Sequence, residues 1–394
     1  MDIINMTVKG ILGKVILEEE RPYILNDFKD HLIHSRNVLK ELQYDTTIDL
    51  SNHLVLSDII CLCAENLNPT DPWVTEEHVR HSLYLLEQIT SGESIQAFFM
   101  MNEDTILKRS IKRLQTLLLE DWKLYPGACS AFQWIFSHIR FPHMGQYIKE
   151  FLPFILRFTD DWQSSNKVRG VEMIQHLVEE CAWNTELNLA IGEELIPKTL
   201  FHLLHSREVD VIDASLTTLI LFYQKSRKIN LIGQELLPEL LNSIAITSDI
   251  YLRRVYSNYL SKVIYNSGVH VTPWLSKIVQ VFQHCSTFPD PFNEKIRINI
   301  QDGLAKLLNI VEKNEMTLLF GKYVHNVLEF LIRIIYELSK KDMNEDELFI
   351  STQDNLSMIS RLYKEETSIL CHGMDKLSVN NIFDEVIHNS LIPS

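Results

Sequence analysis

The chain has 394 residues, a formal net charge of −15 and a sequence pI near 5.5. Hydrophobic residues make up 46% and charged residues 23%, so the chain can bury a core, while its acidic balance disfavours binding to nucleic-acid phosphates. Only 12 glycines and 12 prolines are present, which favours helices over a turn-rich β fold.

Apolar residues at helical spacing predict a series of helices in the first part of the chain. One helix spans residues 26–44 with its apolar residues on one face, and a denser apolar segment covers 54–67. Prolines break the chain at 68–72, after which Thr75 is suited to cap the next helix. No segment of convincing length alternates as a strand does.

A repeated phrase appears in the second part of the chain. It occurs as Phe151-Leu152-Pro153, Leu195-Ile196-Pro197 and Leu236-Leu237-Pro238, with the prolines 44 and 41 residues apart, and a fourth unit opens near Trp274-Leu275. We expect each phrase to begin an apolar helix that is followed by a polar turn and a second helix. Two-helix units of about 40–47 residues are typical of HEAT and armadillo proteins.

The sequence therefore predicts an all-α fold, a HEAT/armadillo-like α-solenoid of stacked antiparallel helix pairs with at least eight helices. A single pair cannot bury its apolar face, so neighbouring pairs must share one core. We expect an N-terminal helical region of irregular repeats at 1–146 and HEAT-like repeats at 147–394, in one continuous solenoid.

An aspartate precedes a basic residue in three of the predicted turns. Asp161 precedes Val168-Arg169, Asp249 precedes Arg253-Arg254, and Asp290 precedes Lys295-Ile296-Arg297. We expect the acid to cap the second helix of each repeat, and Asp160 or Asp161 to do so in the first.

The sequence carries no motif for catalysis, so we predict a protein that is not an enzyme and uses no cofactor. GxxxxGK[ST], GxGxxG, GxSxG, HExxH and CxxC are all absent. The pairs His31/His34, His78/His81 and His202/His205 could share a helix face, but chance pairs are expected among 15 histidines, and we predict no bound metal. The acidic run 342–347 is interpreted as a solvated loop.

Other features predict an intracellular protein. The N-terminus lacks a signal-peptide pattern, no apolar run is long enough to span a membrane, and the six cysteines are too scattered for a disulfide framework. We expect reduced thiols, no membrane partner, and a cytoplasmic location with the nucleus as a second compartment.

Aromatic residues concentrate between 120 and 185. This group consists of Trp122, Tyr125, Trp134, Trp162 and Trp183. The aromatic side chains either form ordinary core between repeats or an exposed docking patch, since Trp and Tyr are favoured interface anchors.

The most distinctive stretch of the chain lies in the first of the repeated units. It reads Asp160-Asp161-Trp162-Gln163-Ser164-Ser165-Asn166-Lys167-Val168-Arg169-Gly170-Val171. The stretch resembles the D-D-[aromatic]-Q-x-x-N-K-x-x-G-V motif of the Tti-two family. Further similarities follow in the family's order: Pro72-Trp73 with Thr75, Trp122 with Pro126, Phe132-x-Trp134 with Gln133 in place of serine, Leu152-Pro153, and Leu252-Arg253-Arg254-x-Tyr256.

This resemblance implies a HEAT-type scaffold subunit of the triple-T (TTT) co-chaperone, with Tti-one as the direct partner and Tel-two as the third subunit. In that family the complex works with the ninety-kilodalton heat-shock chaperone to mature phosphatidylinositol-kinase-related kinases. Those kinases serve DNA-damage, telomere and growth signalling. A HEAT-type transport or coat adaptor that binds peptide motifs is the alternative hypothesis.

Two residue sets are candidates for function. The family motif serves either packing or partner contact through Asp160, Asp161, Trp162, Asn166, Lys167 and Gly170. A later helix carries Arg253, Arg254, Tyr256 and Tyr259, a mixture that is enriched at interfaces, and these are candidates for contact with Tti-one. In the other interpretation the tyrosines are core and one arginine pairs with Asp249.

Overall fold

The computed structural model describes residues 10–17, 21–44, 51–182, 187, 194–287, 290–291, 293–340 and 346–368. The longer α-helices, labelled in chain order, are α1 (Lys29–Tyr44), α2 (His53–Glu65), α3 (Glu76–Thr90), α4 (Ile95–Met101), α5 (Lys108–Asp121), α6 (Pro126–Ser137), α7 (Met144–Thr159), α8 (Ser164–Glu180), α9 (Ile196–Leu203), α10 (Val209–Lys225), α11 (Leu237–Ile246), α12 (Ile250–Ser267), α13 (Leu275–Thr287), α14 (Lys295–Lys313), α15 (Val324–Ser339) and α16 (Glu347–Leu362). Shorter segments are the 3-10 turns Leu25–Phe28, Trp122–Leu124 and Gly268–Trp274, the π-helical turns Glu103–Leu107 and Ile232–Leu236, and the α-helical turns Ile229–Leu231 and Thr317–Gly321. No β-strand occurs in the described ranges, so the all-helical prediction is confirmed.

The chain divides into two compact units, residues 1–201 and 202–394. In the first unit α1 packs on α3, α2 packs on α6, and α7 packs on α8. In the second unit α12 packs on α14, and α14 packs on α16. The sequence predicts a different boundary, at 146/147, between irregular and regular repeats. That boundary describes how regular the repeats are and not how they pack into units, and it stays a prediction.

Hydrogen bonds join successive second helices of the second unit at a constant separation. Thr217 of α10 meets the hydroxyl of Tyr259 of α12 at 2.6 Å, and the Asn299 amide of α14 donates to Ser257 of α12 at 3.1 Å. Both pairs are 42 residues apart, within the period that the sequence predicts. Stacked copies of one unit place equivalent residues side by side, which accounts for the constant separation.

The repeated proline phrase lies at the start of α9 and α11, but its first copy lies inside α7. Pro197 and Pro238 are the second residues of α9 and α11, and the π-helical turn Ile232–Leu236 runs directly into α11. Pro153 lies inside α7, so the prediction that a helix begins there is wrong. The buried side chains Phe151 and Phe154 on either side continue one apolar face, and their packing outweighs the one hydrogen bond that proline removes.

The predicted helix caps have mixed outcomes. Thr75 is the N-cap residue of α3, and the Asp249 carboxylate caps α12 by accepting N–H bonds from Tyr251 and Leu252. Neither Asp160 nor Asp161 caps α8, so that prediction is wrong. The N-cap residue of α8 is Gln163, and its side chain makes no capping bond.

None of the helices in the described residues is long and apolar enough to cross a membrane. Trp183, Cys371 and residues 342–345 of the acidic run lie outside the described residues.

Candidate functional site

The stretches that carry the family resemblance meet at one polar cluster in the first unit, built around the buried Asp71 and Asp161. This motif cluster consists of Asp71, Lys123, Ser130, Asp161, Asn166 and Arg169. Asp71 directly precedes Pro72-Trp73, Lys123 follows Trp122, Ser130 lies on α6, and the other three belong to the Asp160–Val171 stretch. Segments up to 98 positions apart in the sequence therefore come together.

Arg169 holds the cluster together from α8. Its guanidinium donates to Ser130 at 3.1 Å and to the Gln133 side chain at 2.9 Å, both on α6. It also approaches the Asp71 carboxylate at 3.6 Å, while the Ser130 hydroxyl donates to the same carboxylate. Because a guanidinium offers several donors in one plane, a single Arg can tie α8 to α6 and to the loop before α3.

Asp71 is a buried carboxylate whose charge depends on these partners. Burial raises the pKa of the Asp71 carboxyl, and the nearby Arg169 guanidinium opposes that rise. Removing one partner of a buried charged pair leaves the other uncompensated, which is strongly destabilising. The pair is therefore a structural tie between α8 and the loop before α3 rather than a solvent-facing acid or base.

Asp161 has a role other than the predicted cap. Its carboxylate accepts a hydrogen bond from the Asn166 amide at 2.7 Å and pairs with the Lys123 ammonium at 3.0 Å. Asn166 in turn accepts from Arg169 at 3.4 Å. Since these side chains occupy the carboxylate, Asp161 links the turn before α8 to the 3-10 turn Trp122–Leu124 and does not close the helix end.

Gly170 marks a close approach of two helices. A Cβ atom at this position would lie 2.6 Å from Thr159 Cγ2, 2.8 Å from the Thr159 backbone nitrogen and 3.1 Å from the Ile155 carbonyl oxygen, both residues of α7. A backbone nitrogen and a carbonyl oxygen cannot move aside as a flexible side chain can. For Gly170 the structure therefore supports packing between α7 and α8.

Three motif residues remain near the surface. Trp162 is 49% exposed, Asp160 is exposed, and Lys167 is half-buried. Asp160 ends α7 through its backbone N–H, which donates to Leu156 at 3.1 Å. The motif is thus split between a buried part that packs and a surface part whose contact with a partner stays a prediction.

The aromatic residues near the motif are partly core. Trp122 packs edge-on against the buried Phe158 with ring centres 5.1 Å apart, and Trp134 packs edge-on against Phe99 at 6.3 Å. Trp73 is buried and donates its indole N–H to the Glu65 carbonyl at 2.9 Å. Among the described aromatic residues between 120 and 185, Trp162 is 49% exposed and Phe141 is 60% exposed.

The Arg–Tyr set of α12 lies mostly inside the second unit. Tyr256 and Tyr259 are 5% and 4% exposed, and their hydroxyls bond to Leu204 and to Asp213 and Thr217. This geometry favours the interpretation in which the tyrosines are core. A direct interface role for them stays a prediction that no contact in the structure supports.

The two arginines of this set bond within the unit. The Arg254 guanidinium pairs with the buried Asp290 at 3.1 and 3.3 Å, so its acidic partner is Asp290 instead of Asp249. Arg253 donates to the Thr247 carbonyl at 2.5 Å. An arginine that holds a buried carboxylate is needed for folding before it can serve a partner.

The two histidines of the His78/His81 pair have different partners. His78 contacts Thr75 and Ser35, whereas His81 contacts Gln43 at 2.6 Å. Burial lowers the pKa of both His31 and His78 to about 4, so both rings are neutral at physiological pH. Among the described residues no group of His, Cys, Asp and Glu has the arrangement of a metal site.

The five cysteines within the described ranges are buried, and Cys61, Cys63, Cys129 and Cys285 among them are free thiols. Burial raises the pKa of the Cys61 and Cys129 thiols to about 12, which keeps them protonated and unreactive.

A protein-family model, the Tti2 family, matches residues 110–294. This part of the chain is similar to the Tti2 family. The matched segment contains most of the motif cluster and the whole of α12, so the resemblance inferred from the Asp160–Val171 stretch is confirmed.

Individual curated proteins are also similar to this chain in sequence. The chain is 25% identical over 262 residues to TELO2-interacting protein 2 of Mus musculus, covering 60% of this chain and 49% of the relative. It is 26% identical over 254 residues to the Homo sapiens protein of the same name, covering 60% and 50%. The chain thus spans about half the length of the curated relatives it matches.

Solved structures show the same fold at low sequence identity. The karyopherin Kap121p, solved with the extreme C-terminus of the phosphatase Cdc14p, aligns with a TM-score of 0.53 and 12% identity over 93% of this chain and 34% of its own. The karyopherin Kap95p, solved with RanGDP, aligns with a TM-score of 0.50 and 12% identity over 92% of this chain and 49% of its own. These likenesses confirm the predicted HEAT-type fold and carry no information on binding.

Three members of the motif cluster, Asp71, Lys123 and Ser130, are not recognisable as a group from the sequence alone. No local spacing connects them with Arg169, because the contacts depend on how the helices stack. One signal was available: Arg169 directly precedes Gly170, and an Arg beside a packed glycine needs an acid from elsewhere in the chain.

Proposed function

We propose that the chain is a non-catalytic helical scaffold subunit of a Tel-two/Tti-one/Tti-two (TTT) co-chaperone complex. The match of the Tti2 family model to residues 110–294 carries this proposal. The name of the relatives, TELO2-interacting protein 2, supports Tel-two as a member of the same assembly. Tti-one is the proposed direct partner, as the family resemblance implies.

The chemistry of the motif cluster agrees with a scaffold. Its carboxylates are buried and paired with Arg169 and Lys123, and the neighbouring Gly170 brings two helices together. Such groups hold a surface in shape, and helical repeats present extended faces suited to protein partners. We propose that the complex serves the ninety-kilodalton heat-shock chaperone in maturing phosphatidylinositol-kinase-related kinases, in the cytoplasm and the nucleus.

Affinity purification of the tagged full chain from its native cell, with identification of the bound proteins, tests this proposal. We expect homologues of Tel-two and Tti-one in near-equal amounts. Depletion of the chain should then lower the steady-state level of the client kinases without lowering their messenger RNA. Recovery of transport cargo or coat subunits in place of Tel-two and Tti-one would favour the adaptor hypothesis.

A further inference from the structure

Three alternate helices of the second unit, α10, α12 and α14, each end within two residues of a position with positive φ. The last turns of α10, α12 and α14 are followed by residues with positive φ: Arg227 at 57°, Gly268 at 53° and Glu315 at 54°. After α10 the Lys228 N–H donates back to Tyr223 at 3.0 Å, as in a helix that ends with a left-handed residue. Each helix therefore gives way to a tight turn that leads into the next repeat.

These turns stack on one another along one edge of the unit. The Trp274 indole donates to the Gly233 carbonyl at 2.8 Å, and a Cβ on Gly233 would lie 2.6 Å from the Cβ of His270. On the other side of the same turn, the Thr272 hydroxyl lies 3.9 Å from the sulfur of Met316. The turns after α10, α12 and α14 are therefore neighbours in space.

Aliphatic side chains project from this edge into solvent. Ile229 is 45% exposed, Val269 47%, Leu318 94% and Leu319 47%. Single exposed apolar residues are ordinary on protein surfaces, but several on adjacent turns indicate an interaction site. We call these four residues the apolar edge.

The charge around the apolar edge is opposite to that of the whole chain. Five cations lie on these turns or at the helix ends beside them, namely Lys225, Arg227, Lys228, Lys313 and Lys322, against the three carboxylates of Glu235, Glu312 and Glu315. Two of these carboxylates are engaged, since Glu235 accepts from the Tyr223 hydroxyl at 2.7 Å and Glu312 pairs with Arg361 at 2.8 Å. A locally cationic edge stands out in a chain of net charge −15.

We propose that the apolar edge docks an acidic, amphipathic segment of a protein partner. The apolar side of the segment covers Leu318 and Leu319, and its carboxylates face the surrounding lysines. This inference rests on the scaffold function proposed above and assigns it a surface. An anionic membrane would offer the same two kinds of contact, but the net charge of the chain opposes its approach to such a surface.

A matched pair of substitutions tests the docking surface in the full chain with its native partners. Leu318→Glu replaces the most exposed aliphatic residue of the edge, and Ile246→Glu replaces an 83% exposed residue at the end of α11. Because both side chains are exposed, neither variant should change the melting temperature. We expect Leu318→Glu to lower recovery of the bound proteins at least tenfold and Ile246→Glu to leave it unchanged.

A photo-crosslinking amino acid at position 318 identifies what touches the edge. We expect a crosslinked peptide from a partner that is rich in Asp and Glu with apolar residues at helical spacing. A crosslink to phospholipid, to a second copy of this chain or to a basic segment would overturn the proposal, as would no crosslink at all. Unchanged recovery with Leu318→Glu would also overturn it.

The two proposals can fail separately. Wild-type recovery of Tel-two and Tti-one without any effect at Leu318 leaves the scaffold function intact and removes the docking surface. A crosslink from position 318 to an acidic segment of an unrelated protein, with tenfold loss in Leu318→Glu, supports the surface and removes the assignment to the TTT complex.

Discussion

At the residue scale, Gly170 is required by backbone contact between two helices. In Gly170→Ala the new methyl group would meet Thr159 N at 2.8 Å and Ile155 O at 3.1 Å, so α7 and α8 must separate. Overpacking of this kind costs about 1–3 kcal/mol, which exceeds the gain of about 1 kcal/mol in helix propensity. We expect a lower melting temperature, measured by circular dichroism at 222 nm.

A second helical glycine provides the matched control for Gly170→Ala. A Cβ on Gly321 would meet Tyr363 Cε1 at 3.7 Å, which is an ordinary contact distance. Gly321→Ala should therefore leave the melting temperature unchanged or raise it slightly. Equal effects of the two substitutions would mean that close contact at Gly170 is not what the glycine provides.

Glu65 gives the first unit a pH-dependent stability. Burial raises the pKa of this carboxyl from 4.5 to about 8, although the Leu12 N–H donates to it at 2.9 Å. The folded chain therefore holds the proton more tightly than the unfolded chain does. Between pH 4.5 and about 8 the unfolded carboxyl is ionised while the folded one is still protonated, so the free energy of unfolding falls as pH rises.

Glu65→Gln removes this titration and keeps an oxygen that accepts from Leu12. We expect the variant to match the wild type near pH 5 and to exceed its free energy of unfolding near pH 8, by an amount on the order of a few kcal/mol. Urea titrations at the two pH values measure this difference. The control Glu93→Gln, on an exposed turn, should keep the wild-type pH dependence; the same dependence in Glu65→Gln would refute the role of Glu65.

The residues of α12 show what the sequence can predict at this scale. Tyr256 and Tyr259 share a helical row with Leu252 and Val263, and that spacing already places them on the buried face. Arg and Tyr are residue types that are common at interfaces, which suggested an interface here. The helical spacing of the two tyrosines, however, determines that they are buried, and their residue type determines only which hydrogen bonds their hydroxyls make. The partner of Arg254 was beyond prediction, because Asp290 reaches it from the turn that follows a different helix.

At the scale of elements, the Arg254–Asp290 pair ties α12 to the turn before α14. The Asp290 side chain is fully buried and also accepts the Ile296 N–H at 3.2 Å. Arg254→Glu would remove the cation and bring a second carboxylate beside the first. Breaking a buried charge pair costs about 3–5 kcal/mol, so we expect a large fall in melting temperature.

An exposed cation on the same helix is the control for Arg254→Glu. Lys262 lies over the Tyr259 ring at 4.7 Å and is exposed, so Lys262→Glu should change the free energy of unfolding by less than about 0.5 kcal/mol. An unchanged melting temperature in Arg254→Glu, together with lost partner binding, would instead support the interface prediction for Arg253 and Arg254.

The helices themselves were predictable, and their ends were less so. Apolar spacing of 3.6 residues identifies α1, α2 and α3 because a buried face must repeat at the helical period. The prediction of a helix cap was wrong where the side chain pairs with a residue far away in the sequence, as Asp161 pairs with Lys123. Pro153 does not mark the start of a helix, because burial of Phe151 and Phe154 in α7 outweighs the one hydrogen bond that proline removes.

At the scale of the whole molecule, the two compact units each have their own set of ties. The motif cluster connects loops and helices of residues 1–201, and the ladder of bonds through Thr217, Ser257 and Arg254 connects helices of residues 202–394. In stacked repeats each unit contacts only its neighbours, so stability is distributed locally and a weakened contact opens its own region first.

This locality predicts the pattern of hydrogen exchange in the two destabilised variants. Gly170→Ala should speed amide exchange in α5 to α8 and leave α12 to α16 near wild-type rates, because the lost packing lies between α7 and α8. Arg254→Glu should do the reverse, since Asp290 lies in the second unit. Exchange followed by mass spectrometry on peptides from each unit measures both variants against the wild type. Faster exchange throughout the described helices in either variant would show that the chain opens as one cooperative body, with stability shared across both units.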